Sequence, residues 1–322
     1  MSHPATHPVE EHEQLATPLK GRDFLSVRDL AADELHQLFQ KALAMKAAPL
    51  KFSTALRGQT LAMVFEKPSL RTRVSFDVGI AQLGGHAIDL SPEISLGKRE
   101  SLHDVAKNLE RMVQAIMVRT YAHEGLERLA EYAAIPVING LTDFSHPCQA
   151  LADYLTMLEV KGSLRGLRLA YVGDGNNVAH SLLFGAALLG VDVRVASPRG
   201  YEPAGEVVAW VEDHAGLSGA SCRITESAEE AVRGADVVYT DVWASMGQEA
   251  EAAARKRIFA PYQVNARLFG LAQPDAVFMH CLPAHRGDEV TDEVIDSSRS
   301  VVFQQAENRL HAQKALMFSL MR

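Results

Sequence analysis

Short apolar runs alternate with stretches of helical spacing along most of this chain. That alternation predicts parallel sheets covered by helices. In the first half, LAMVFE (61–66), HAIDL (86–90), AIMVRT (115–120) and PVIN (136–139) read as strands, with helical patterns at 70–82, 101–112 and 123–133 between them. Ser101 with Asp104 resembles a helix cap in which aspartate stands where glutamate is usual. In HPCQALADYLTMLEVKGSL, residues Ala150, Leu151, Tyr154, Leu155 and Leu158 follow helical spacing, and Lys161-Gly162-Ser163 ends the pattern. This helix is expected to cross from one domain to a second. A second strand series follows: LRLAYVG (167–173), VDVRVAS (191–197), CRIT (222–225), DVVYT (236–240) and AVFMH (276–280). The last segment, AENRLHAQKALMFSLM (306–321), reads as an amphipathic helix. The expected fold class is α/β, with two domains that meet near residues 145–165.

Chain length agrees, since 322 residues at about 100–200 per domain favours two. The net charge of −8 does not suit nucleic acid or an anionic membrane surface. An anionic ligand must therefore be held by a local group of basic residues. No apolar run approaches the ~18–20 residues of a membrane span, and the N-terminus shows neither the basic nor the apolar region of a secretory signal. His3, His7 and His12 lie in a polar N-terminal stretch that reads as a flexible tail. Cys148, Cys222 and Cys281 have no CxxC spacing, which argues against a zinc site or a disulfide framework. A cytoplasmic enzyme is the expectation.

The candidate chemistry sits where strands end. KPSLRTR (67–73) follows a strand, with Ser69 placed as the N-cap of a helix. Unpaired N–H groups of the first turn, the helix dipole, the hydroxyls of Ser69 and Thr72, and the Arg71 guanidinium would together hold a phosphate. The alternative is a capped helix with solvated arginines, and Arg73 suits a structural ion pair. Arg119 closes another strand, at the edge where α/β proteins bind ligands. His146 and Gln149 share a helix face at i and i+3. In VGDGNN (172–177) the dinucleotide fingerprint fails because Val178 stands where glycine is needed, so Asn176 and Asn177 read as cap or ligand groups. DVWASMGQE (241–249) is a polar loop after a strand, and His280-Cys281 opens another.

FEKPSLRTRVSF, MVRT, HPCQALADY, GDGNNVAHSL, DVWASMGQE and HCLPAHRGDEV, in that order, resemble the ornithine carbamoyltransferase family from about residue 22 to the C-terminus. The resemblance implies a carbamoyl phosphate-binding domain at 21–150, completed by a C-terminal helix at 304–322, and an ornithine-binding domain at 151–303, after a tail at 1–20. It implies that Ser69, Leu70 (through its backbone), Arg71 and Thr72 hold phosphate. Arg119 and His146 would polarise the carbonyl oxygen, Gln149 would hold the carbamoyl NH₂, and Arg309 would return to the same pocket. Asn177, Ser245 and Met246 would bind the ornithine carboxylate, and Asp241 its α-amino group. Cys281 and Leu282 would line the place of attack on carbamoyl phosphate. Catalysis would rest on Arg71, Arg119, His146, Asp241 and Cys281, with no cofactor and no metal. The resemblance further implies a homotrimer or a multiple of trimers, with Lys98 or Arg99 near a shared site. Leu70 departs from the threonine frequent in the family, and His180 from an asparagine. A carbamoyltransferase acting on putrescine or N-acetylornithine, and a non-catalytic relative, are the alternatives.

Overall fold

A computed structural model describes residues 19–91, 96, 97, 99–244, 247 and 249–322. The predicted strands are present, most of them trimmed by a residue. β1 (Thr60–Phe65), β2 (His86–Leu90), β3 (Ala115–Arg119) and β4 (Val137–Leu141) form a parallel sheet in the order β2-β1-β3-β4. β5 (Arg168–Val172), β6 (Asp192–Ala196), β7 (Cys222–Thr225), β8 (Val237–Thr240) and β9 (Val277–His280) form a second, in the order β7-β6-β5-β8-β9. The central strand β3 and the edge strand β4, whose outer side is bridged by Phe24, are buried at every position, while the edge strand β2 is not.

Helices fill the connections. α1 (Ala32–Ala47), α2 (Leu70–Gln82), α3 (Leu102–Leu109), α4 (His123–Tyr132) and α5 (Pro147–Lys161) belong to the first half. α6 (Asn177–Leu189), α7 (Gly205–Ser218), α8 (Ala228–Val232), α9 (Ala252–Phe259), α10 (Ala266–Phe269) and α11 (Asp292–Ile295) belong to the second. α12 (Val302–Met321) is the last. The predicted caps form: Ser69 Oγ accepts from the Thr72 N–H at 3.1 Å and Ser101 Oγ from the Asp104 N–H at 3.1 Å. Gly162, at φ 76°, ends α5 in the left-handed conformation that glycine adopts without strain. α1 was not among the predicted elements, although Leu35, Leu38, Phe39, Ala42 and Met45 mark its buried face at helical spacing.

α12 differs from its amphipathic reading. It starts earlier, at Val302, and every residue from Ala312 to Met321 is buried. The helix is packed between α1, α2 and α5, so it has no wet face along its second half. Of its polar groups there, Lys314 Nζ donates to Gln82 Oε1 at 2.8 Å, whereas the Gln313 amide is buried without a hydrogen-bond partner among the described residues.

The direction of the strands places the candidate site. In a parallel sheet all carboxyl ends lie on one edge, and a crevice opens where the strand order reverses. In the first sheet the reversal lies between β1 and β3, whose ends lead to Lys67–Arg71 and to Arg119. In the second it lies between β5 and β8, whose ends lead to Asp174–Asn177 and to Asp241. No described helix is long and apolar enough to cross a membrane.

α5 and α6 join the two halves at very close range. A Cβ on Gly185 would sit 2.2 Å from a ring carbon of Tyr154, whose hydroxyl donates to the Leu182 carbonyl. Gly185→Ala is therefore expected to destabilise the protein by about 1–3 kcal/mol through overpacking, read as a lower urea midpoint at unchanged m-value.

Candidate active site

A cavity of about 840 Å³ opens between the two strand-order reversals. Ser69, Leu70, Arg71, Arg119, His146 and Arg309 line its first side; Asn177, Asp241, Cys281 and Leu282 line its second.

The first side is strongly cationic. Arg119 is 6% exposed and Arg309 2% exposed. Arg309 arrives from α12, its Nη2 donating to Thr72 Oγ1 at 2.8 Å. The Nε atoms of Arg71, Arg119 and Arg309, and Nδ1 of His146, are buried with no hydrogen-bond partner among the described residues. Burial, then repulsion from Arg309 and Arg71, pushes the Arg119 guanidinium down to about 9. Burial likewise pushes Arg309 down to about 10. Guanidinium groups remain protonated in proteins, so the physical content of these shifts is repulsion that a polyatomic anion would relieve. Burial, reinforced by Arg309, Arg119, Arg71 and Lys67, holds His146 well below the ordinary imidazole range. It is therefore a neutral ring at pH 7.

The second side is built around an acceptor. Asp241 Oδ1 accepts from the Cys281 thiol at 2.9 Å, and its Oδ2 accepts from Asn176 Nδ2 at 2.9 Å. Asn176 Oδ1 meanwhile caps α6 by accepting from the Val178 N–H at 2.9 Å. Burial, then the neighbouring Asp241 charge, pushes the Cys281 thiol well above its ordinary range. The sulfur is therefore a protonated donor, not a thiolate nucleophile. Asp241, His280 and Cys281 bring potential metal-ligand atoms within 4.8 Å of one another. His280 is already committed, since its Nδ1 accepts from the Leu282 N–H at 2.8 Å and its Nε2 faces Glu289 at 3.2 Å.

Two family models cover the chain. The one described as the carbamoyl-P binding domain of aspartate/ornithine carbamoyltransferase matches residues 22–159, and the one described as the Asp/Orn binding domain matches 165–320. The chain belongs to the aspartate/ornithine carbamoyltransferase family. A relative from Anoxybacillus flavithermus, named ornithine carbamoyltransferase, is 57% identical over 94% of this chain and 98% of its own. The solved ornithine carbamoyltransferase of Pyrococcus furiosus superposes with a TM-score of 0.92 at 55% identity, covering 95% of this chain and 99% of that one. That of Thermus thermophilus gives 0.85 at 45% identity, over 93% and 99%.

Most residues singled out by the family resemblance meet in this one cavity. Thr72 and Gln149 do not line it. Thr72 is fully buried behind Arg309, and Gln149, 1% exposed, lies one helical turn behind His146. His146 occupies the N-cap position of α5 but makes no side-chain cap bond, which leaves its ring to the cavity. Asn177 is partly committed, its Nδ2 donating to the Thr142 carbonyl at 2.6 Å. His180, where some carbamoyltransferases carry asparagine, is bonded on both nitrogens, to the Phe144 carbonyl at 2.8 Å and from the Ala204 N–H at 3.0 Å. Arg73 forms the structural pair foreseen for it, with Asp89. Ser245, Met246 and Lys98 lie outside the described residues.

Sequence reasoning passed over Lys67 and Asp174, and gave Asn176 only as a cap or ligand group. Lys67, the first residue of KPSLRTR, is buried, pairs with Asp143 and lies 4.2 Å from the Tyr121 ring centroid. Asn176 is the partner that orients Asp241. Asp174 is held by Arg255 at 2.9 Å, and burial raises its carboxyl to about 6. A position directly after a strand was the available signal for Lys67 and Asp174.

Two outcomes follow from the electrostatics. Arg119→Met is expected to raise the stability of the ligand-free protein by about 1 kcal/mol, because a buried unpaired charge is replaced by an apolar chain. The same change should reduce, without abolishing, the rise in Tm expected of the wild type with inorganic phosphate. For His146 the ring resists protonation only when folded. Below the ordinary imidazole pKa of about 6.5 the unfolded chain takes up a proton that the folded chain refuses, so stability falls as pH falls. Relative to His146→Asn, the wild type should lose about 1 kcal/mol between pH 7.5 and 5.5, measured by urea denaturation in phosphate-free buffer.

Proposed function

We propose that the protein transfers the carbamoyl group of carbamoyl phosphate to the side-chain amine of L-ornithine, giving L-citrulline and phosphate. The observation that carries this reading is the convergence of two buried guanidinium groups, a half-buried third and a neutral imidazole on one side of a cavity whose other side holds Asp241 and Cys281. The first side suits a phosphate joined to a polar carbonyl. The second suits an amino acid with two amines.

In this reading Ser69, the Leu70 backbone, Arg71 and Arg309 hold the phosphate, and Thr72 acts through Arg309. Arg119 and His146 donate to the carbonyl oxygen. Gln149 meets the carbamoyl NH₂. Asp241 takes the α-amino group of ornithine, while Asn177, Ser245 and Met246 take its carboxylate. The neutral side-chain amine, beside Cys281 and Leu282, attacks the carbamoyl carbon. A C–N bond forms, and the carbonyl oxygen becomes an oxyanion opposite Arg71, Arg119 and His146, which stabilise it. The oxyanion then re-forms the carbonyl as the bond between the carbamoyl carbon and the bridging oxygen breaks, and phosphate leaves with that oxygen and with the proton lost by the nitrogen. Holding both substrates in one cavity supplies much of the rate by proximity.

We assign residues 21–150 with 304–322 to the carbamoyl phosphate-binding domain and 151–303 to the ornithine-binding domain. Packing of α12 on α1 and α2 supports that division. A homotrimer fits the exposed apolar row Leu70, Val74 and Val78 on α2, which assembly would cover. Three free cysteines fit a cytoplasmic location.

The test supplies carbamoyl phosphate with L-ornithine, N-acetylornithine, putrescine or L-aspartate in parallel, and follows phosphate and the carbamoylated product. Citrulline from ornithine alone is the expected result, and Arg71→Met should lower kcat/KM by about 10²–10³. Turnover with a different amine would reassign the second side of the cavity; no turnover with any would overturn the reading.

A further inference from the structure

Behind the cavity lies a carboxylate that the proposed mechanism does not use. Asp153, on α5, is fully buried and collects three donors. Its Oδ1 accepts from Gln149 Nε2 at 2.8 Å and from Gln305 Nε2 at 2.7 Å, and its Oδ2 accepts from the Tyr239 hydroxyl at 3.1 Å. Gln305 Nε2 also donates to the Tyr239 oxygen at 3.0 Å, and its Oε1 accepts from the His280 N–H at 2.9 Å. Gln149 Oε1, in contrast, is buried with no partner among the described residues.

We propose that Asp153 is a positioning residue for carbamoyl recognition: it holds the Gln149 amide with its NH₂ inward, so that the unpaired oxygen is kept as an acceptor for the carbamoyl NH₂. The proposal rests on the carbamoyl phosphate reading. An ionised carboxylate offers only acceptors, so the amide edge facing it must be the NH₂ and the edge facing away must be the oxygen. Without that anchor a glutamine amide can turn over, which would present donors to the donors of the substrate. Asp153 thereby helps tell a carbamoyl group from an acetyl group of nearly the same shape, whose methyl has no hydrogen to give. Through Gln305 the same carboxylate steadies the backbone just before Cys281, so one buried group braces both sides of the cavity. Burial pushes the Asp153 carboxyl up to about 7, and its three donors favour the ionised, acceptor form.

The experiment uses full-length Asp153→Leu, Asp153→Ala and Asp153→Asn, each checked for folding by circular dichroism. KM for carbamoyl phosphate is compared with the competitive inhibition constants of acetyl phosphate and inorganic phosphate, neither of which has an NH₂. The leucine and alanine variants should raise KM for carbamoyl phosphate about tenfold or more, with both inhibition constants moving less than about twofold, because of the three anions only carbamoyl phosphate has an NH₂ for the amide that Asp153 orients. Asparagine keeps an oxygen that can accept from Gln149, so that variant should return to within about threefold of wild type. The alanine variant, whose space admits water, carries the test if the leucine variant does not fold. Equal weakening of all three anions would mean a merely structural role and would overturn the proposal. So would an unchanged KM for carbamoyl phosphate. Turnover by the wild type tests the functional reading separately; if it is absent, calorimetric binding of the same three anions to the same variants still decides the role of Asp153.

Discussion

Like charges buried close together impose the strictest demand on this structure. Arg71, Arg119 and Arg309 come from the start of α2, the end of β3 and the middle of α12, and they repel one another where water is scarce. Solvated arginines would drift apart. These are held by covered parallel strands, by the capped first turn of α2 and by a helix enclosed along its second half. The packing of the first half can be understood as the scaffold that keeps three cations together with no ion pair to any of them among the described residues. His146 adds a donor to that group without adding a fourth charge, because the same environment keeps its ring neutral.

The opposite side of the cavity follows the reverse logic. There the organising group is the Asp241 carboxylate, and its neighbours are neutral donors: a protonated thiol and an asparagine amide. Polarity across the cavity thus changes from anion-seeking to cation-seeking over the length of a small substrate pair. Net charge had no part in this, since a chain of charge −8 builds its cationic site locally.

The sheets were legible in the sequence because parallel strands are covered on both faces and so read as short continuous apolar runs. The site was legible for a related reason. Its residues follow strand ends directly, where a polar cluster such as Ser69–Arg71 or Asp174–Asn177 has little other purpose. What escaped reading depends on contacts distant in sequence. Nothing near Gly185 announces the Tyr154 ring, and nothing near Asp153 announces Tyr239 and Gln305. α12 misled for the same reason: its polar residues suggest a wet face, but Lys314 and Asn308 find partners inside, in Gln82 and Thr156. Periodicity reports which residues are polar, not whether the fold can satisfy them.

The burial of α12 against α1, α2 and α5 also bears on how the molecule comes to exist. A ribosome releases α1, α2 and the first sheet long before it releases the helix that covers them. Until then the apolar faces awaiting Leu316, Met317 and Phe318 stay open, and the cationic side of the cavity lacks Arg309. Contacts spanning most of the chain close late and slowly. The nascent first half is thus the stretch most exposed to aggregation and most in need of a chaperone. Competence for substrate arrives together with completion of the core, in one final docking step.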